Sequence, residues 1–183
     1  MPKQPALKLA SKQLLTQSAL RSILHYDDLT GWFTRLTTIN KGKRAGTVER
    51  RERRVGTIQK CKYNCYRHIQ IDGYRYQEHQ LAWLYMTGRM IKRIDHRDGD
   101  GTNNIWSNLR KSTQSQNGAN RGIPAHNTSG FKGVSKGGKH SWIANIQCQG
   151  RRFYLGTFTT PEEAAEAYRL KALELFGEFA RCS

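Results

Sequence analysis

Apolar positions along the 183-residue chain fall into two patterned halves separated by a polar joint. In the first half, Tyr66-Arg67-His68-Ile69-Gln70-Ile71 alternates with period two, as a strand with one buried face does. Asp72-Gly73 follows as a hairpin turn, and Tyr74–Gln77 reads as the return strand. Glu78 to Met86 then reads as a helix, with Leu81, Leu84 and Tyr85 on one side and Gly88 past its end. Upstream, Leu9, Leu14, Leu15, Leu20 and Ile23 give a loose apolar face to a helix over residues 8–25. An Asp27–Gly31 turn and a short strand Trp32–Leu36 come next.

The joint is Gly122–Gly130, and three strands are predicted beyond it, at Phe131–Ser135, Trp142–Gln147 and Arg152–Leu155. A helix follows, with Thr160 as N-cap, Pro161 in the first helical position, Glu163 completing a capping box and Gly177 as the stop. Alternation places Trp142, Ala144, Ile146, Phe153 and Leu155 toward that helix. The open face is left with Lys132, Asn145, Gln147, Arg152 and Tyr154, which are either donors to base edges and phosphates or an ordinary solvated surface. The fold class expected is α+β, ending in a small three-stranded antiparallel sheet packed on one helix.

Charge narrows the partners. Lys and Arg total 31 against 14 acids, a formal net charge of +17, which points to nucleic acid first and an anionic membrane surface second. Mean hydropathy is −0.76, and no apolar run approaches the ~20 residues that span a bilayer. Met1 to Leu20 is interrupted by lysines and does not read as a signal peptide. Four cysteines (Cys61, Cys65, Cys148, Cys182) do not read as a disulfide framework, so a cytoplasmic, reducing compartment is expected. The densest basic stretch includes Lys41, Lys43, Arg44, Arg50, Arg51, Arg53 and Arg54, either a solvated loop or an arm that contacts phosphates.

Candidate chemistry lies at Asp95-His96, followed by Asn108 and Asn117. A carboxylate and an amide oxygen suffice for one magnesium-type ion that keeps several waters. An imidazole, which titrates near neutrality, is the natural general base for an attacking water. It works best when an acceptor fixes its tautomer, a task for Asn108 or a nearby backbone carbonyl. The alternative is a loop of turn residues, with Asp95, Asp98 and Asp100 in it and Asn108 capping a helix. Asn103 and Asn104 read as turn formers too, and His79, beside Trp83 on its helix, reads as structural. Cys61, Cys65 and His68 lack the second cysteine pair of a zinc ribbon.

Residues 24–121 resemble the phage-type HNH homing endonucleases with a ββα-metal active site. The likeness is carried by His25–Gly31, by His79–Gly88 and by Ile94 through Asn117. It implies that Asp95 and Asn117 hold the metal, that His96 is the general base and that Asn108 positions it. The last motif position here is Asn rather than His, which fits magnesium better than zinc, and Gln80 stands where the family often has Arg. Residues 127–181 resemble the plant APETALA/ethylene-response-factor DNA-binding domain. There the likeness is carried by Ser129–Val134, Trp142–Ile146, Tyr154–Phe158 and Thr160–Tyr168. It implies a sheet that lies in the DNA major groove, although Ser135 and Gln147 replace that family's usual sheet arginines.

Together these imply an N-terminal helical and basic segment (1–23), a nuclease domain (24–121, with the basic arm 41–62), a linker (122–130) and a DNA-reading domain (131–183). The expected function is metal-dependent, site-selective DNA cleavage with one Mg²⁺ or Mn²⁺ per active site. The expected partner is duplex DNA, with no membrane, no small-molecule cofactor and a monomeric chain, in a phage-infected or bacterial cell. A non-catalytic DNA-binding regulator that keeps the nuclease fold is the main alternative, and an RNA-binding protein the third.

Overall fold

A computed structural model describes residues 15–39, 46–59 and 65–182. Thr16 caps the first helix by accepting from the Ala19 N–H, and α1 (Gln17–Ile23) ends where Leu24 becomes extended. The expected helix over 8–25 therefore stops early, and its portion before residue 15 lies outside the described residues. Leu24–Asp27 is strand β1, with Leu24 and Tyr26 buried and His25 and Asp27 partly exposed, a period-two burial that helix geometry cannot give. The Asp27–Gly31 turn closes on a 2.8 Å bond from the Gly31 N–H to the Asp27 carbonyl.

Strand β2 (Trp32–Ile39) outruns the expected Trp32–Leu36 because β3 (Thr47–Arg54) pairs along it. Arg50, Arg51, Arg53 and Arg54 thus lie on a strand rather than in a loop, while Lys41, Lys43 and Arg44 fall outside the described residues. A second sheet runs β4 (Thr57–Gln59), β5 (Tyr66–Ile71), β6 (Tyr74–Gln77), its β5–β6 hairpin turning at Asp72-Gly73 as expected. Helix α2 (Glu78–Thr87) ends at Gly88, whose φ of 73° is the left-handed C-cap the sequence predicts. Leu20, Phe33, Ile69, Leu81, Leu84 and Leu109 are among the buried side chains of the core these elements share.

Strands β7 (Ile94–His96) and β8 (Leu109–Lys111) pair antiparallel and lead into α3 (Gln114–Ala119), capped reciprocally by Thr113 and Gln116. Beyond the joint, β9 (Val134–Gly138), β10 (Ser141–Cys148) and β11 (Arg151–Phe158) form a sheet of order β11-β10-β9. The first of these starts later than the expected Phe131–Ser135. Asn127 and Ser129 hold the preceding chain in a turn through bonds of 2.8 Å to the Phe131 carbonyl and 2.9 Å to the Val134 carbonyl. Helix α4 (Pro161–Phe176) has the expected Thr160/Glu163 capping box and buries Ala164, Tyr168, Ala172 and Phe176 against the sheet. The fold is a mixture of helix and antiparallel sheet, of α+β type.

The two halves are docked. Ala119, at the end of α3, shares an apolar cluster with Tyr168, Phe176 and Phe179. Lys132 donates to the carbonyls of Ala119, Arg121 (2.7 Å) and Arg181 (3.2 Å), so it belongs to this junction and not to the open sheet face where alternation placed it. Burial pushes its ammonium down to about 8.

Candidate active site

Strand pairing sets Asp95 opposite Arg110 and His96 opposite Leu109. Both motif residues are buried, at 3% and 5% exposure, which a carboxylate tolerates only with donors around it. Arg110 supplies two, from Nε and Nη2, each 2.8 Å from Asp95 Oδ2. Asn120 Nδ2 lies 3.1 Å from both carboxylate oxygens and donates at 2.6 Å to the His96 carbonyl. Arg110 is itself held, its guanidinium 3.6 Å from the centre of the Phe179 ring and its Nη1 2.9 Å from the Glu178 carbonyl.

The partner of the His96 ring is Asn104, with Oδ1 3.1 Å from Nε2. Asn104 Nδ2 donates to Glu78 Oε2 at 3.0 Å, and Glu78, fully buried, also pairs with Arg54 and Arg67 at 3.1 Å each. A carboxylate accepts only, so the Asn104 amide must turn its nitrogen to Glu78 and its oxygen to His96. The imidazole must then donate from Nε2, which leaves Nδ1 as the proton acceptor of the neutral ring. Asn104 is thus no turn former but a buried positioning residue, and Arg54 of the expected phosphate arm is engaged inside the fold.

Asn108, expected to orient the base, braces the adjacent loop instead. Its Oδ1 accepts from the Asp98 N–H at 3.1 Å, and its Nδ2 donates to Asp98 Oδ1 at 3.0 Å and to the Asn103 carbonyl at 2.8 Å. Burial alone would raise the Asp98 carboxyl, but hydrogen bonds from Asp100, Asn103 and Asn108 outweigh it and hold the group below its ordinary range. His79 comes closer to the chemistry than its helix pattern implied: its ring lies edge-on to His96 with centroids 5.1 Å apart. Its Nδ1 is buried with no partner among the described residues, and burial pushes the imidazole down to about 3.

Asp95, His96 and Asn117 open on one cleft of about 1230 Å³, whose far wall includes Asn145, Gln147 and Arg152. Cross-strand pairing sets Asn145 against Tyr154 and Gln147 against Arg152, so these four share the open sheet face. Tyr154 is 63% exposed, its hydroxyl 2.7 Å from that of Thr157. Arg53 is exposed on β3.

The donors fit a hard, hydrated ion. Asp95 Oδ1 receives only the Asn120 amide, and no hydrogen bond to another described residue engages the Asn117 side chain. Among the described residues no three His, Cys, Asp or Glu side chains cluster as a metal site, so an ion here would rest on one carboxylate and one amide oxygen, those of Asp95 and Asn117. Cys61 lies outside the described residues. Periodicity could not reveal Glu78, Asn104, Arg110 or Asn120, because each acts through buried polar contacts to residues distant in sequence or on a paired strand. An acidic residue at the head of an otherwise apolar helix was the one visible signal.

A family model described as HNH endonuclease matches residues 76–119. An uncharacterized HNH endonuclease, L560, of Acanthamoeba polyphaga mimivirus is 39% identical over 87 residues, covering 48% of this chain and 44% of that protein. The match thus spans less than half of that relative's length. Protein 3.8 of Escherichia phage T7 is 32% identical over 108 residues, 57% of this chain and 88% of that protein. Dehydration-responsive element-binding protein 2A of Arabidopsis thaliana is 38% identical over 63 residues, 33% of this chain and 19% of that protein. No solved structure matches. With the motif residues gathered on the unit β7–β8–α3 and the family model matched across it, the chain carries an HNH endonuclease domain.

Proposed function

We propose that this protein is a metal-dependent, site-selective DNA endonuclease of the homing type. The observation that carries the reading is the shared cleft, in which Asp95, His96 and Asn117 face Asn145, Gln147 and Arg152. Asp95 and Asn117 would hold the divalent ion, Mg²⁺ or Mn²⁺. When bound, that ion polarises the scissile phosphate and stabilises the leaving oxygen. His96 Nδ1 takes the proton of a water whose oxygen attacks phosphorus, while Asn104 keeps the ring in the Nε2–H tautomer. Asn145, Gln147, Arg152 and Tyr154 meet the duplex from the sheet, and the exposed Arg53 adds phosphate contact. Relatives in phage T7 and mimivirus support a viral setting, and the relative named for binding a responsive element supports a reading role for the sheet. Among the described residues no helix is long and apolar enough to cross a membrane.

The pairing of Asp95 with Arg110 favours one second reading, a DNA-binding regulator in which the carboxylate is structural. Incubating supercoiled plasmid with and without Mg²⁺ separates the two. The endonuclease reading expects metal-dependent conversion to open circles or linear product. Duplex binding without cleavage in either Mg²⁺ or Mn²⁺ would establish the regulator.

A further inference from the structure

The joint between the halves, Gly122 to Asn127, lines the same cleft as the motif residues and the sheet, so the chain here is a wall of the site as well as a connection. Docking does not depend on that connection alone. Gln149 N–H donates to the Ser115 hydroxyl at 2.9 Å, tying the β10–β11 turn to α3. Arg181 N–H donates to the Ala119 carbonyl at 3.3 Å, and Arg97 pairs with Glu178 at 2.5 Å. Their strengths differ. The Arg97–Glu178 pair is about half exposed on both sides and contributes little. Arg110 is only 7% exposed, stacked on Phe179 and bonded to Glu178, and Lys132 is half-buried among three carbonyls. Together with the Ala119–Tyr168–Phe176–Phe179 cluster, these contacts survive salt that would screen a surface pair.

We propose that the C-terminal sheet and the nuclease site engage one DNA duplex as a single surface of fixed geometry, so that the cut falls at an invariant offset from the bases the sheet reads. The inference rests on the endonuclease reading above. It differs from tethering, in which a connecting segment only raises the local concentration of the cutter and the offset follows the segment's length. Here Arg110 joins the two functions physically: it touches the metal-ligand candidate Asp95 on one side and Glu178 and Phe179 on the other.

The test uses the full-length protein and a duplex it selects from a random-sequence pool. Three proteins are compared: wild type, a form with Gly-Ser-Gly-Ser inserted between Pro124 and Ala125, and the docking variant Lys132→Met/Phe179→Ala, which removes the ammonium from its three carbonyls and the ring from beneath Arg110. Lys132→Met alone substitutes if circular dichroism shows the double variant unfolded. Hydroxyl-radical footprints taken without magnesium are read beside cut positions mapped with it. Expected are one contiguous footprint and one cut offset shared by wild type and the insertion form, with cuts spread over several nucleotides in the docking variant. An offset that moves with the insertion overturns the proposal, as does a docking variant with the wild-type offset, or selection that enriches no sequence. If no form cuts, the endonuclease reading fails, and the footprints alone decide: one unmoved by the insertion supports the single surface, and two separable footprints overturn it.

Discussion

Asn104 donates to Glu78 at 3.0 Å, and that bond determines which atom of its amide meets His96. The order of dependence runs from Arg54 and Arg67, which hold Glu78, through the amide, to the imidazole tautomer. Every member beyond the arginines is almost wholly shielded from water, where an unmet donor or acceptor is most costly.

Asn104→Leu keeps side-chain size and removes both bonds. Its expected effect is loss of single-turnover cleavage on the order of 10²-fold, the lower range for a general base, with duplex affinity unchanged. Side-chain ¹⁵N NMR of His96 is expected to report the Nε2–H tautomer in wild type and a mixture in the variant.

Gly31 acts on the same network from outside. Its φ is +68°, and a Cβ there would lie 2.4 Å from the backbone carbon of Asn104. Backbone cannot yield as a side-chain tip can, so Gly31→Ala is expected to cost about 1–3 kcal/mol and to displace Asn104. Urea melts and cleavage rates of the same preparation check this, with both falling together.

His79 gives the fold a pH dependence of known sign. Burial, reinforced by the neighbouring His96 and His68, takes its imidazole from the ordinary 6.5 down to about 3. Between those values the unfolded chain binds a proton that the folded chain does not, so stability is full above the upper one and falls as pH falls. The slope is at most about 1.4 kcal/mol per pH unit. His79→Leu should flatten the dependence when unfolding is measured at about pH 6.5 and about pH 5.5, at no cost in hydrogen bonds at Nδ1, which has no partner among the described residues.

Arg152 and Lys132 should separate in salt titrations. Arg152 is exposed on the cleft wall, whereas Lys132 Nζ is engaged by three carbonyls. Arg152→Ala is expected to lower the slope of log affinity against log salt by about one. Lys132→Met should leave the slope unchanged.

Local rules made much of the fold legible. The Asp72-Gly73 hairpin, the α2 stop at Gly88 and the Thr160/Glu163 box follow from turn and cap chemistry that is decided within a few residues. Leu24 and His25, expected to close a helix, instead begin β1, because the apolar pair Ile23-Leu24 suits either period and only pairing with β2 settles the matter. Lys132 was misplaced because alternation assumes a strand where Asn127 and Ser129 impose a turn. Asp95, His96 and Asn117, candidates by residue type and spacing, line one cleft. Asn104 could not be told from its neighbour Asn103, since their roles divide on burial: Asn103 braces Asp98 at the surface while Asn104 turns inward to Glu78 and His96.

The most direct measurement is single-turnover cleavage of duplex DNA in Mg²⁺ by wild type and His96→Ala, with binding affinity determined on the same samples. A variant that binds as wild type does but cleaves at least about 10²-fold more slowly is the predicted result for a lost general base. Equal cleavage rates would contradict the assignment and move the chemistry away from His96.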